Sequence, residues 1–256
     1  MQLIDTHTHL YAEVFDEDRD EMIKRALKNG VSDFFVPAID SSYSERMFAL
    51  ENQYPNQVHL MTGVHPTHVK SNYKEELAHV SSLLKKRSFC AVGEIGIDLY
   101  WDKTFIKEQQ DAFDIQIQWA KNDKLPIIIH CREAFDEVFE VLEGHKSEDL
   151  YGIFHCFTGT LDQAKKALSY NLKLGIGGVV TFKNGKLNQF LKKIPLSEIV
   201  LETDSPYLAP VPYRGKRNES SYLKQVVEKV ADVYDLPIGL IAKETTKNAF
   251  EVFKLI

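Results

Sequence analysis

Cysteine is scarce in this chain: three in 256 residues, with no CxxC pair. That argues against a disulfide-stapled secreted scaffold and a zinc ribbon, both of which need paired thiols. Thirteen glycines and nine prolines are too few for a linker-rich or low-complexity chain. No run reaches the roughly 18 apolar residues of a membrane span. The opening MQLIDTHTHL has neither the basic nor the apolar stretch of a secretory signal, so a cytoplasmic location is expected. Basic charge is in deficit, 31 Lys and Arg against 37 Asp and Glu, a formal charge of −6. This weighs against a broad basic face for duplex DNA, whose affinity comes mainly from phosphate neutralisation, but not against a pocket that takes one strand end. What remains is the balance of a soluble globular protein, 44% hydrophobic and 27% charged, and a single domain over residues 1–256 is expected.

Short, β-branched-rich apolar runs alternate with longer amphipathic stretches. The runs read as strands are Leu3–Thr6, Asp33–Ala38, His59–Val64, Ala91–Ile95, Pro126–His130, Gly152–His155, Lys173–Gly177 and Ile199–Thr203. Helical patterns fall at Asp16–Asn29, Tyr43–Gln53, Lys74–Lys86, Lys107–Lys121, Phe135–Glu143, Leu161–Tyr170 and Gly185–Lys193, with Ser220–Tyr234 and Ile238–Phe253 after the last strand. Eight strand–helix units predict right-handed parallel crossovers and, at this length, an α/β fold of the (β/α)8 TIM-barrel type. A doubly wound open sheet is the alternative, but the first turn carries Asp5-Thr-His-Thr-His9 where that fold needs a glycine-rich phosphate loop. One long irregular stretch, Ser205–Glu219, holds three prolines and the basic group Arg214-Gly-Lys-Arg217, and a loop of that length is more often functional than structural.

In such a barrel the site lies at the C-terminal ends of the strands. There the chain places His7 and His9 (run one), His65 (three), Glu94 (four), His130 (five), His155 (six) and Asp204 (eight). Residues two apart in a strand share a face, so His7 and His9 can meet one cation. The same parity sets Asp5 beneath them and Glu202 beneath Asp204, as hydrogen-bond partners that orient ligands. Cys131 and Cys156 each follow a histidine and are expected to point outward as packing thiols, like Cys90. His59, His79 and His145 stand alone and read as surface or capping residues. Burying so many imidazoles and carboxylates together without a cation is costly, which favours a metal site. Four imidazoles and two carboxylates suit zinc, manganese, nickel or iron, and magnesium where water completes the shell. Six ligands suit two divalent ions bridged by Glu94, which comes from the middle of the strand order.

These motifs resemble the TatD family of metal-dependent deoxyribonucleases, within the amidohydrolase-like barrels. The matching stretches are Ile4-Asp-Thr-His-Thr-His9, Gly63-Val-His-Pro66, Gly93-Glu-Ile-Gly-Ile-Asp98, Ile129-His-Cys-Arg-Glu133, His155-Cys-Phe-Thr-Gly159, Leu201-Glu-Thr-Asp-Ser-Pro206 and Arg214-Gly-Lys-Arg-Asn-Glu219, in order along nearly the whole chain. The resemblance implies one metal on His7, His9, Glu94 and Asp204 and a second on Glu94, His130 and His155. It also implies DNA, trimmed from an end, as substrate, with magnesium or manganese supporting activity. One departure is visible: the family tends to have proline after Asn-Glu, whereas Glu219 is followed by Ser220 and Ser221. The expected function is an exodeoxyribonuclease using a hydroxide activated by two metals, with Asp204 and Glu94 catalytic and Asp204 moving the proton. The candidate phosphate contacts are His65, Arg132, Arg214 and Arg217. Tyr100, Trp101 and Phe157 are placed to stack on bases or to pack against helices. The alternative is a barrel metallohydrolase acting on a lactone, an amide or an aminoacyl-tRNA ester. Neither a membrane nor an obligate protein partner is implied.

Overall fold

The computed structural model describes residues 1–254. Eight parallel strands are present: β1 (Leu3–Asp5), β2 (Val31–Val36), β3 (Val58–Leu60), β4 (Val92–Asp98), β5 (Ile127–Arg132), β6 (Gly152–Phe154), β7 (Leu172–Ile176) and β8 (Ile199–Leu201). Regular ladders run β1-β2-β3 and β4-β5-β6-β7-β8. Two seams join them into a closed (β/α)8 barrel. At one, a parallel bridge pairs Thr62 with Val92, and Gly93 N–H donates to the Thr62 carbonyl at 2.9 Å. At the other, Thr8 bridges Ser205, and Asp204 N–H donates to the His7 carbonyl at 2.9 Å. Closure makes β1 and β8 neighbours, so the residues that follow each of them meet.

The lumen is filled by alternate residues of successive strands, Ile4, Phe35, Ile128, Ile153 and Val200, with Met61 and Ala91. Runs such as Ile127-Ile-Ile129 are buried whichever way they face, as parallel strands between lumen and helices must be. The outer layer is α1 (Arg19–Lys28), α2 (Ser44–Gln53), α3 (Tyr73–Lys86), α4 (Ile106–Asp123), α5 (Phe135–His145), α6 (Leu161–Leu168), α7 (Leu223–Tyr234) and α8 (Ile238–Phe253). Helix α8 closes the bottom of the barrel. Its Asn248 amide donates to the carbonyl of Ile199, where β8 begins, and its Phe253 stacks on Phe35 inside the lumen at 3.7 Å.

Two local expectations are corrected, and a third, left open between base stacking and helix packing at Phe157, is decided for packing. The stretch Gly185–Lys193 forms two short 3-10 turns, Leu187–Gln189 and Leu191–Lys193, not an α-helix. Gly185 at its start, Pro195 just beyond it and no capping box like that of α6 leave the stretch without helix signals, and tight i+3 bonds suffice to turn Leu187 and Leu191 inward. Phe157 is buried among Phe135 and Phe154 and belongs to the core. Strand β4 runs on to Asp98 and β5 to Arg132, paired residue by residue from Gly96 with His130 to Asp98 with Arg132. Both strands therefore rise above the rim, and Glu94 sits mid-strand. A Cβ at Gly96 would lie 2.0 Å from the His130 carbonyl, so only glycine permits this approach. Among the described residues, no helix is long and apolar enough to cross a membrane.

Candidate active site

Strand β1 ends at Asp5, and the irregular segment after it carries His7 and His9 into the mouth of the barrel. Both rings are buried, 5.2 Å apart between centroids. Asp204 arrives through a left-handed turn, φ +56°. The Glu94 carboxylate occupies the centre. One oxygen lies 3.1 Å from His7 Nε2 and 3.7 Å from His9 Nε2. The other lies 2.8 Å from His130 Nδ1, 3.3 Å from His65 Nε2 and 3.8 Å from His155 Nε2. Asp204 Oδ1 faces His9, His155 and His7 at 3.6, 3.8 and 3.9 Å. All six expected ligands thus converge, together with His65.

The partners behind each ring show what its free nitrogen can do. Tyr11 spends its one proton on the Pro37 carbonyl, so it accepts from His9 Nδ1 at 2.9 Å, leaving Nε2 of His9 as a lone pair aimed inward. His65 is arranged the other way. Its Nδ1 accepts from the Thr67 N–H at 3.1 Å, so Nε2 carries the proton and points it at Glu94. His65 is therefore a donor to the central carboxylate in this arrangement. His130 lies between Glu94 and Asp98, 2.8 Å from each. Composition and strand parity do not single out Asp98 or Tyr11 as supports. The signal for Asp98 is its place in Gly93-Glu-Ile-Gly-Ile-Asp98; Tyr11 has none beyond its nearness to His9.

Beneath the rings, Asp5 accepts from Thr203 N–H and Oγ1 at 2.9 and 2.6 Å, which fixes the β8 end. Glu202 accepts from Cys156 N–H at 2.7 Å and approaches His155 Nδ1 at 3.0 Å. Its carboxylate has room because a Cβ at Gly175 would lie 2.2 Å from Glu202 Oε2. Cys156, itself left-handed at φ +43°, groups with His155 and Glu202 instead of facing the helices. Alternation ends with β6 at Phe154, and the parity argument ends with it.

Electrostatics follow from this crowding. Burial works to raise the Glu94 carboxyl, but the imidazoles of His65, His7 and His155 outweigh it and hold Glu94 well below the usual carboxylate range. Asp204 is lowered against the same burial, chiefly by His9. Burial and the charge of His155 lower His7, and burial takes His65 down to about 4. Against burial, Glu202 and Glu94 push His155 up to about 10. Asp98 and Glu94 likewise raise His130 to about 9. Burial lifts Asp5 to about 7.

A divalent cation fits these residues. His7 Nδ1 and Glu202 Oε2 lack a hydrogen-bond partner, and His7 Nε2 and His155 Nδ1 lie near carboxylate oxygens without an aligned bond, an arrangement native interiors avoid unless another ligand satisfies it. Ligand atoms of His7, His9 and Glu94, of His7, His155 and Asp204, and of His65, Glu94 and His130 lie within 4.8 Å of one another in each group. His155 thus groups with His7 and Asp204, and His65 takes the place beside His130 and Glu94 that the resemblance gives to His155. The site opens into a cavity of about 680 Å³ lined by His9, His65, His68, Glu94, Asp98, Trp101, His130, Arg132, His155, Asp204 and Tyr207, among others.

The whole-chain comparison now decides the family. The family model described as TatD related DNase matches residues 4–254. The chain belongs to the TatD family. It is a metal-dependent hydrolase of that family. It is 39% identical over 254 residues to the uncharacterized metal-dependent hydrolase YabD of Bacillus subtilis (strain 168), covering 99% of each chain. It is 30% identical to the 3'-5' ssDNA/RNA exonuclease TatD of Erwinia tasmaniensis, over 99% of this chain and 100% of that one. The crystal structure of the TatD homolog YjjV from Escherichia coli K12 superimposes with a TM-score of 0.93 at 30% identity, covering 99% of this chain and 98% of that one.

Of the four expected substrate contacts, His65 and Arg132 line the cavity and Arg214 and Arg217 do not. Arg217 is held by both Asp18 oxygens, at 2.7 and 2.6 Å, and by the Val14 carbonyl. Arg214 lies over the Phe182 ring at 3.6 Å. His59, His79 and His145 pair with Asp33, Ser44 and Asp114 away from the site.

Proposed function

We propose that this TatD-family hydrolase cleaves phosphodiester bonds at the end of a single nucleic-acid strand, most readily DNA. The observation that carries this reading is the ring of imidazoles around one buried carboxylate, opening to a cavity with a single guanidinium, Arg132, on its wall. Support also comes from the relative in Erwinia tasmaniensis, named a 3'-5' exonuclease of single-stranded DNA and RNA. The net charge of −6 weighs against a broad basic face for duplex DNA and is compatible with a cavity that takes one strand end.

His7, His9, Glu94 and Asp204 would hold one divalent ion and Glu94 and His130 a second, completed by His155, whose Nε2 lies 3.8 Å from the same Glu94 oxygen, while His65, a donor to that oxygen, stands beside the group. Magnesium or manganese in those places supplies Lewis acidity and a reactive water at neutral pH. The protein's own groups do the rest. Asp204, at 13% side-chain exposure and facing the cavity, accepts the proton of the attacking water as its oxygen bonds to phosphorus. The bond from phosphorus to the leaving sugar oxygen breaks, and that oxygen takes up the proton that Asp204 accepted. Arg132 holds a non-bridging oxygen, bidentate geometry being what a guanidinium offers a phosphate. Asp98 and Tyr11 keep His130 and His9 in one orientation, so that no reorganisation is needed during the reaction.

Metal-stripped protein, incubated with an end-labelled single-stranded oligonucleotide and then given magnesium, manganese or zinc, tests the reading. A chelator-sensitive ladder shortening from one end is expected, and it names the polarity. No cleavage with any of the three, with turnover of a lactone or ester panel, overturns it.

A further inference from the structure

Strand β4 and strand β5 rise above the rim together and carry an exposed aromatic pair and an arginine there. Tyr100 and Trp101, just past Leu99 and the end of β4, are 48% and 69% exposed. Their rings meet edge to face at 4.9 Å. Arg132, at the end of β5, lays its guanidinium on the Tyr100 ring at 3.7 Å and lies 5.3 Å from the Trp101 centroid. Leaving an indole that bare has a cost, and here it is held in place. The Tyr100 and Trp101 N–H groups both donate to Asp98 Oδ1, at 3.0 and 3.3 Å. The other oxygen of that carboxylate holds His130 at 2.8 Å. One buried aspartate therefore fixes an active-site imidazole and the aromatic pair in a common frame. Both Trp101 and Arg132 line the cavity.

We propose that Trp101, backed by Tyr100 and Arg132, is a stacking subsite for a nucleobase adjoining the scissile phosphate. The inference rests on the phosphodiesterase reading of the same site. An exposed indole edged by a guanidinium offers a π face to any base, which gives affinity without sequence preference. Arg132 joins the two halves, one side on the aromatic pair and its donors free for the phosphate that follows the stacked base. Asp98 acts here as a positioning residue.

The test uses the two-tryptophan composition of the chain. Trp119 lies on α4 against the Val64 cluster, away from the cavity, so W119F leaves Trp101 as the sole indole reporter. A phosphorothioate-linked oligothymidylate, which resists hydrolysis, is titrated into W119F protein carrying its divalent ions. Saturable quenching of Trp101 emission is expected, with binding about ten-fold weaker and no quenching for an abasic strand of equal length. In turnover, W101A raises KM for an ordinary strand about ten-fold with kcat unchanged, leaves the abasic-ended strand unaffected, and is largely rescued by W101F. Cleavage of the strand without quenching, or equal losses for W101A on both strands, overturns the subsite. Loss in W101A of a concentration-dependent dimer, with KM unchanged, also overturns it by giving the patch to a second copy of the chain. Quenching without cleavage by the wild-type protein keeps the subsite and defeats the hydrolytic reading instead.

Discussion

Two regions of this chain advertise chemistry in sequence, the strand ends and the basic loop Arg214–Arg217, and the folded molecule treats them oppositely. At the strand ends, residues scattered from His7 to Asp204 collapse around one carboxylate, and several buried polar atoms stay unsatisfied. In the loop, the two arginines are turned away from the cavity, Arg214 onto the Phe182 ring. Arg217 is bound to Asp18, and Asn218 donates its amide to the carbonyls of Thr203 and Tyr207 at 2.7 and 2.6 Å, pinning the loop to β8. Glu219 closes the same network by accepting from Arg25 at 2.7 Å. Buried side-chain atoms left without partners gather at the strand ends, whereas Arg214 and Arg217 are engaged by Phe182 and Asp18 away from the cavity, although the loop has the more conspicuous charge.

The comparison breaks most directly at Glu94. Glu94→Gln removes the central charge that every imidazole faces, so turnover should vanish while the circular dichroism spectrum stays native and melting no longer responds to added metal; wild-type-like turnover would dissolve the contrast. Next, Asp98→Asn leaves the carboxylate's shape but weakens its hold on His130, and activity or metal affinity should fall about 10–100-fold. Metal titration of the variant checks which of the two moves. Arg132→Ala sharpens the contrast within one residue type. It should raise KM for an oligonucleotide about ten-fold, as the loss of a charge-assisted hydrogen bond does, whereas Arg217→Ala should leave KM alone. Arg217→Ala instead costs stability, about 1 kcal/mol near neutral pH for a half-exposed bidentate pair, read by denaturant midpoint. Its pH dependence has a defined sign. The Asp18 carboxyl is held below its usual value chiefly by Arg217. The pair therefore stabilises fully above the ordinary carboxylate range and fades as pH falls through the lowered value, so variant and wild type should converge in acid.

How far the sequence could be read depended on how far simple rules applied. Strand–helix alternation and the requirement of closure place β1 beside β8, and from that the meeting of His7, His9 and Asp204 follows. Parity located Asp5 and Glu202 under the rings because each sits in or next to regular strand. It failed at Cys156, where the backbone turns left-handed just past β6. It could not distinguish His65 from the other histidines either, because its tautomer is set by the Thr67 amide in the following turn. Phe157 and Trp101 looked equivalent as aromatics beyond strand ends. Only the packing of Phe135 and Phe154 separates a core ring from an exposed one. The same limit applies to Arg217, whose partner Asp18 lies 199 residues away.

Everything proposed for this site turns on the strand-end cluster around Glu94 holding divalent metal. Crystals grown with manganese and measured for anomalous scattering test it most directly. Manganese peaks are expected in contact with Glu94, shared among His7, His9, Asp204, His130 and His155, and are expected to disappear in Glu94→Gln. Manganese bound elsewhere on the protein, with the Glu94 cluster empty at saturating metal, would contradict it.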